Sequence, residues 1–97
     1  MKISIVIPVY NAEKVISGGI EASLSQVADE IIVVDDGSSD NTANIIRHYP
    51  VKYIYQNNAG PARARNTGWV IAKGDVVLFT DSDCIPDGDW VRKHLRH

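Results

Sequence analysis

The chain is poor in cysteine, in long apolar runs and in excess charge of either sign, and each shortage excludes something. Its one cysteine, Cys84, rules out an intramolecular disulfide and fits a reducing compartment. No stretch approaches the roughly 18 apolar residues of a membrane-spanning helix, so no membrane segment is expected in this chain. Ten basic residues against twelve acidic ones leave a net charge of −2. That balance gives no basic footprint for nucleic acid. The opening "MKISIVIPVYN" is apolar and carries one lysine, as a leader peptide would. Its alternating β-branched residues favour a strand instead, as do Tyr10 and Asn11 where small residues should mark a cleavage site. The expected location is cytoplasmic.

What is present is an ordinary globular composition, 44% hydrophobic and 23% charged, over 97 residues. A chain of this length buries only about two thirds of its unfolded surface, enough for one modest core. Residues 1–97 are therefore read as a single domain. The closing "DWVRKHLRH" has helical character but no terminating glycine or proline, and a fragment of a longer protein is the expectation. Six of the twelve acids fall at 35–36 and 81–89, beside apolar runs, and that clustering says more than the total.

Strands are predicted at 2–8, 30–36, 51–56 and 74–80. The second, "EIIVVDD", has the unbroken apolar character of a strand buried on both faces. Between them lie helices: one from about Ala12 to Gln26, and one capped by Ser39 or Asp40 and running to about Tyr49. A third has Pro61 in its first turn. In the first helix Ile16, Ile20, Leu24 and Val27 should form the buried stripe. Gly18-Gly19 should bend or fray it, at a cost of about 2 kcal/mol relative to alanines. In the third, Ala64, Gly68 and Ala72 make a seam of small residues for close packing. Alternation at this spacing implies an α/β fold with a parallel sheet, and ligands in such sheets bind beyond the carboxyl ends of the strands. That rule gathers "PVYN", "DDGSSD", "QNNAGPARARN" and "DSDCIPD" on one edge.

Each of these loops carries a chemical reading beside a bland one. In "DSD", Asp81 and Asp83 share a side-chain phase and suit Mg2+ or Mn2+ with further oxygens from phosphates; alternatively Asp81 caps a turn and Asp83 faces solvent. An EF-hand fails, because its glycine position is Pro86 and its final glutamate position is Arg92. Asp87 and Asp89, beside Pro86 and Gly88, read as turn and helix-start residues. Asp35 should complete its strand and Asp36 emerge at the loop. There Asp36 would accept from a base N–H or a ribose hydroxyl, or simply form an Asx turn. Arg63 and Arg65 sit in the first turn of a helix, where cations oppose the macrodipole. They form either a diphosphate site or a solvated face. Tyr10 and Asn11 offer a stacking face and a polar contact, or packing under the first helix. Together the chemical readings describe a nucleoside-diphosphate site with a divalent cation.

With these motifs in order ("ISIVIPVYNAE", "EIIVVDDGSSDNT", "NAGPARARNTGW" and "GDVVLFTDSDCIPDGDW"), the chain resembles the N-terminal half of the family-two glycosyltransferases, the inverting class with the GT-A fold. The resemblance covers essentially the whole chain. It implies a Rossmann-like, nucleotide-sugar-binding half with four mainly parallel strands alternating with helices. It further implies that Pro8, Val9 and Tyr10 line the nucleoside pocket and that Asp36 recognises base or ribose. Ala64, Arg65 and Asn66 would fall at the donor site, and Asp81 and Asp83 would form the DxD pair, with Asp83 reaching the metal. The implied partners are a nucleoside-diphosphate sugar and an acceptor saccharide or lipid-linked saccharide, met at the cytosolic face of a membrane. Inverting transfer also needs a base. In this family it lies beyond residue 97, so no catalytic residue is assigned.

Two readings from other classes compete. The acid pair of "VVDD" is similar to that of phosphoacceptor receiver domains, but receivers place it after the first strand, which here ends in "PVYN". A self-associating assembly module is the other, since a sheet stopping at its fourth strand leaves an edge open to pairing.

Overall fold

In a computed structural model, residues 2–26 and 28–80 are described. Their elements are β1 (Ile3–Val9), α1 (Ile16–Leu24), β2 (Glu30–Asp35), α2 (Thr42–Ile46), β3 (Lys52–Tyr55), α3 (Pro61–Ile71) and β4 (Val76–Phe79). The four strands form one sheet in the order β3-β2-β1-β4, and every pairing is parallel. β1 and β2 run side by side from Ser4↔Glu30 to Val9↔Asp35. β4 flanks β1 from Ile3↔Val76 to Val6↔Phe79.

The side-chain period of two splits the apolar strands between two cores. Ile3, Ile5, Ile7 and Val9 of β1, with Ile31 and Val33 of β2, pack with Ile16, Ile20 and Ile46 of α1 and α2. Val6, Ile32 and Val34 face the other way and meet Ala64 of α3. This two-sided burial explains the unbroken apolar run of β2, and each fully buried isoleucine contributes about 1.5–3 kcal/mol. The small-residue seam is where α3 comes closest to the sheet. Ala64 and Gly68 are buried, and a Cβ at Gly68 would overlap the Val6 side chain. Ala72 caps the helix, half-buried.

The helices are shorter than the sequence suggests. α1 begins at Ile16 rather than Ala12, because Asn11 takes a left-handed φ of 47° and the chain first turns through Ala12–Val15. Gly18-Gly19 does not break it; the helix runs through both, with Gly19 buried. Ile16 and Ile20 are fully buried as expected, but Leu24 is 40% exposed, and Val27 lies outside the described residues. α2 stops at Ile46, with Tyr49 in a following turn where its N–H reaches Ile46 O at 3.0 Å. Its N-cap is Asn41; Asp40 instead accepts from the Thr42 N–H at 3.0 Å. The helix expected after Asp87 lies outside the described residues.

Candidate functional site

A cleft of about 310 Å³ opens at the carboxyl edge of the sheet. Pro8, Val9 and Tyr10 at the end of β1 form one wall, and Asn58, Gly60, Pro61 and Ala64 form the other, with Asp36 between them. The Tyr10 side chain is half exposed, so its ring offers a stacking surface. Thr80 N–H donates to Val6 O at 3.1 Å, so the chain leaves β4 alongside the end of β1.

The adjacent aspartates of β2 do not confront each other, because the strand sends them to opposite faces. Asp35, fully buried, accepts from the Tyr53 hydroxyl at 2.8 Å and the Ser38 N–H at 2.9 Å. Asp36 points to the α3 side and accepts from Ala59 N–H (2.8 Å), Gly60 N–H (2.9 Å) and Gln56 Nε2 (2.9 Å). Burial opposes its ionisation, but these three hydrogen bonds outweigh that and hold its carboxyl below the ordinary value of 3.8. An ionised acceptor thus sits in the cleft beside an aromatic ring.

The neighbouring loops are clamped to one another. Asn11 N–H donates to Ser38 Oγ, and its Oδ1 accepts from Ser39 N–H, both at 2.8 Å. Ala12 N–H donates to the buried Thr42 hydroxyl at 2.9 Å. Gly37, at φ 86°, lets the loop after β2 press on the loop after β3; a Cβ there would lie 2.9 Å from Asn58 N.

Of the residues singled out from sequence, Pro8, Val9, Tyr10 and Asp36 come together in the cleft wall. Asn11 is instead engaged in the loop clamp. Arg63 is exposed, Arg65 half-buried and Asn66 exposed, and none of the three lines the cleft. The Ala59 and Gly60 N–H groups at the start of α3 already have an anion, the Asp36 carboxylate. Asp81 and Asp83 lie outside the described residues, and among the described ones no group of three or more His, Cys, Asp or Glu could hold a metal. Sequence reasoning missed Asn58, Gly60 and Pro61 as cleft wall and Gln56 as a partner of Asp36, whereas Ala64, expected at the donor site, does line the cleft. The available signal was the Gly60-Pro61 pair, which marks a tight approach to a helix start on the ligand-binding edge.

A match to the family model described as glycosyl transferase family 2 extends over residues 4–97, and the chain belongs to that family. Its relatives include a poly(ribitol-phosphate) beta-glucosyltransferase of Bacillus spizizenii, 44% identical over 86% of this chain and 15% of that protein. An uncharacterized glycosyltransferase of Haemophilus influenzae is 41% identical over 96% of this chain and 40% of that protein. The chain therefore spans well under half the length of these relatives. Among solved structures, TarS of S. aureus in complex with UDP-GlcNAc superposes with a TM-score of 0.87 at 32% identity, over 99% of this chain and 30% of that one. Glucosyl-3-phosphoglycerate synthase from Mycobacterium tuberculosis, in complex with Mn2+, UDP and phosphoglyceric acid, superposes at 0.82 and 29% identity, over 94% of this chain and 36% of that one. The fold is accordingly the Rossmann-like α/β of GT-A glycosyltransferases, and the family is one of enzymes.

Proposed function

We propose that the cleft holds the nucleoside end of a nucleoside-diphosphate sugar, and that the whole protein transfers the sugar with inversion to an acceptor hydroxyl of a saccharide or lipid-linked saccharide. The observation that carries this is the ionised Asp36 carboxylate beside the half-exposed Tyr10 ring at the carboxyl edge of a parallel sheet. A base stacks on the ring, and an N–H or hydroxyl donates to the carboxylate. Apolar Pro8, Val9, Pro61 and Ala64 exclude water from the base. UDP and UDP-GlcNAc complexes of TarS support the ligand class.

Metal dependence belongs to the same proposal and is supported by the Mn2+ and UDP complex of the mycobacterial synthase. Asp81 and Asp83 are the residues assigned to Mg2+ or Mn2+; when bound, the cation offsets charge on the departing diphosphate. Thr80, one peptide bond before Asp81, is tied to β1 two residues before Pro8 of the cleft wall.

Calorimetry with nucleoside diphosphates tests both parts. Binding is expected, stronger with Mn2+ or Mg2+, and Asp83→Ala should weaken it only when metal is present. Equal affinity with and without metal would remove the DxD assignment, and no binding of any nucleoside diphosphate would remove the cleft assignment.

A further inference from the structure

Asp36 is one member of a hydrogen-bonded chain that leads out of the cleft. Gln56, just past β3, gives its Nε2 to Asp36 Oδ1 at 2.9 Å, while its Oε1 lies 2.7 Å from the Thr67 hydroxyl on α3. Thr67 Oγ1 is also 2.9 Å from the carbonyl of Arg63, one turn earlier. With Asp36 ionised, the Gln56 amide has one satisfactory orientation, NH2 toward the carboxylate and oxygen toward Thr67. The single Thr67 proton then goes to Gln56. Turning the amide over would set its oxygen against the carboxylate.

The count of acceptor sites gives this chain a consequence. A carboxylate has about four lone-pair sites, two on each oxygen. Oδ1 accepts from Gln56 and from Ala59, and Oδ2 accepts from Gly60. Among the described residues no other donor reaches it, which leaves one site, on Oδ2. Asp36 therefore reads one donor from a ligand, and Gln56 removes the alternative of reading it through Oδ1.

We propose that Gln56, held by Thr67, is a positioning residue that fixes the Asp36 carboxylate so that only Oδ2 is offered to the bound nucleoside. The proposal rests on the cleft being the nucleoside site. It makes nucleotide affinity depend on a residue absent from the cleft wall, and on a hydroxyl on the outer part of α3.

The test is UDP affinity by calorimetry with Mn2+ held constant, on the full chain and its variants. Gln56→Leu removes the donor and should weaken UDP binding about tenfold, the scale of one hydrogen bond to a charged group. Thr67→Val should cost about two- to fivefold, and the Gln56→Leu/Thr67→Val double variant no more than Gln56→Leu alone, because Thr67 acts through Gln56. A pH profile separates positioning from a general loss of structure. Among the described residues, the hydrogen-bonding groups bearing on Asp36 are neutral, the Gln56 amide and the Ala59 and Gly60 N–H. Gln56→Glu would place a second carboxylate against it, and such a pair shares one proton. Taken relative to the parent at each pH, which cancels the titration of the UDP terminal phosphate at about pH 6, UDP affinity of Gln56→Glu should therefore rise as pH falls from 8 to 5.

Parent-like UDP affinity in folded Gln56→Leu would overturn the positioning role, as would a flat profile in Gln56→Glu relative to the parent. Should Gln56→Leu not fold, the Thr67→Val affinity and the Gln56→Glu profile decide the matter. Undiminished binding by Asp36→Asn would refute the cleft reading itself, whereas loss in Asp36→Asn without loss in Gln56→Leu would refute positioning alone.

Discussion

Replacing Gly68 by alanine tests how α3 is held on the sheet, and the expected sign runs against helix propensity. An added Cβ would overlap Val6, which is fully buried and, being β-branched, has little rotamer freedom to move aside. Overpacking of this kind costs about 1–3 kcal/mol, and Gly→Ala in a helix interior returns about 1 kcal/mol. The net expectation is a loss of about 1 kcal/mol. In a Val6→Ala background only the Cβ contact at 3.3 Å remains, and the same substitution should turn stabilising, by up to about 1 kcal/mol, the full propensity gain. Urea melts of the four proteins in the cycle measure this as shifts in midpoint at unchanged slope. If Gly68→Ala stabilises the parent as much as the Val6→Ala protein, close approach is not why glycine stands there. The cleft is a second readout. α3 carries Pro61 and Ala64 of its wall, so displacing the helix should lower nucleotide affinity along with stability.

Asp36→Ala strips the acceptor from two backbone N–H groups and should cost about 2–3 kcal/mol, measured by the same melts. Because the folded carboxyl titrates below 3.8, its contribution is fully present above that value and lost as pH falls through the lower folded value. The parent should therefore lose stability more steeply than Asp36→Asn below about pH 4. Tyr53→Phe leaves the buried Asp35 without its hydroxyl donor and should cost about 1.5–3 kcal/mol. Burial, then the hydrogen bond to Asp35, pushes the Tyr53 phenol well above 10.0, so its contribution is present up to that pH and lost only as pH rises through the higher folded value. Ultraviolet titration should show one tyrosine ionising after the others, and absent in Tyr53→Phe. Self-association is expected through the outer edge of β4, which pairs with no strand among the described residues. Light scattering showing a monomer at high concentration would count against it.

The sheet was legible because its signals are local. The unbroken "EIIVV" demanded burial on both faces, and Ala64 and Gly68 marked the helix that comes closest. The edge rule then brought Pro8, Val9, Tyr10 and Asp36 to one cleft. Helix lengths were overread because Asn11 and Asp40 spend their polar groups between loops, Asp40 accepting from the Glu13 N–H, delaying the helix starts. Arg63 and Arg65 were legible by charge, but the Ala59 and Gly60 N–H groups that bind Asp36 just before α3 are backbone donors that no side-chain pattern announces. The Asn11–Ser38 and Gln56–Thr67 contacts depend on which strands adjoin, information that appears only once the order β3-β2-β1-β4 is known.

The two aspartates at the end of β2 make the strand's register a condition of binding. A slip by one residue would turn Val34 out from under α3, and in the same motion exchange Asp35 and Asp36 between the faces. β2 is apolar on both faces, so what penalises such a slip is the fit of its side chains into two different cores and the burial of an aspartate on the wrong side, and that fit guards the cleft as well. On the proposed function, a chain that misregisters β2 would forfeit its nucleoside before it had noticeably lost its shape.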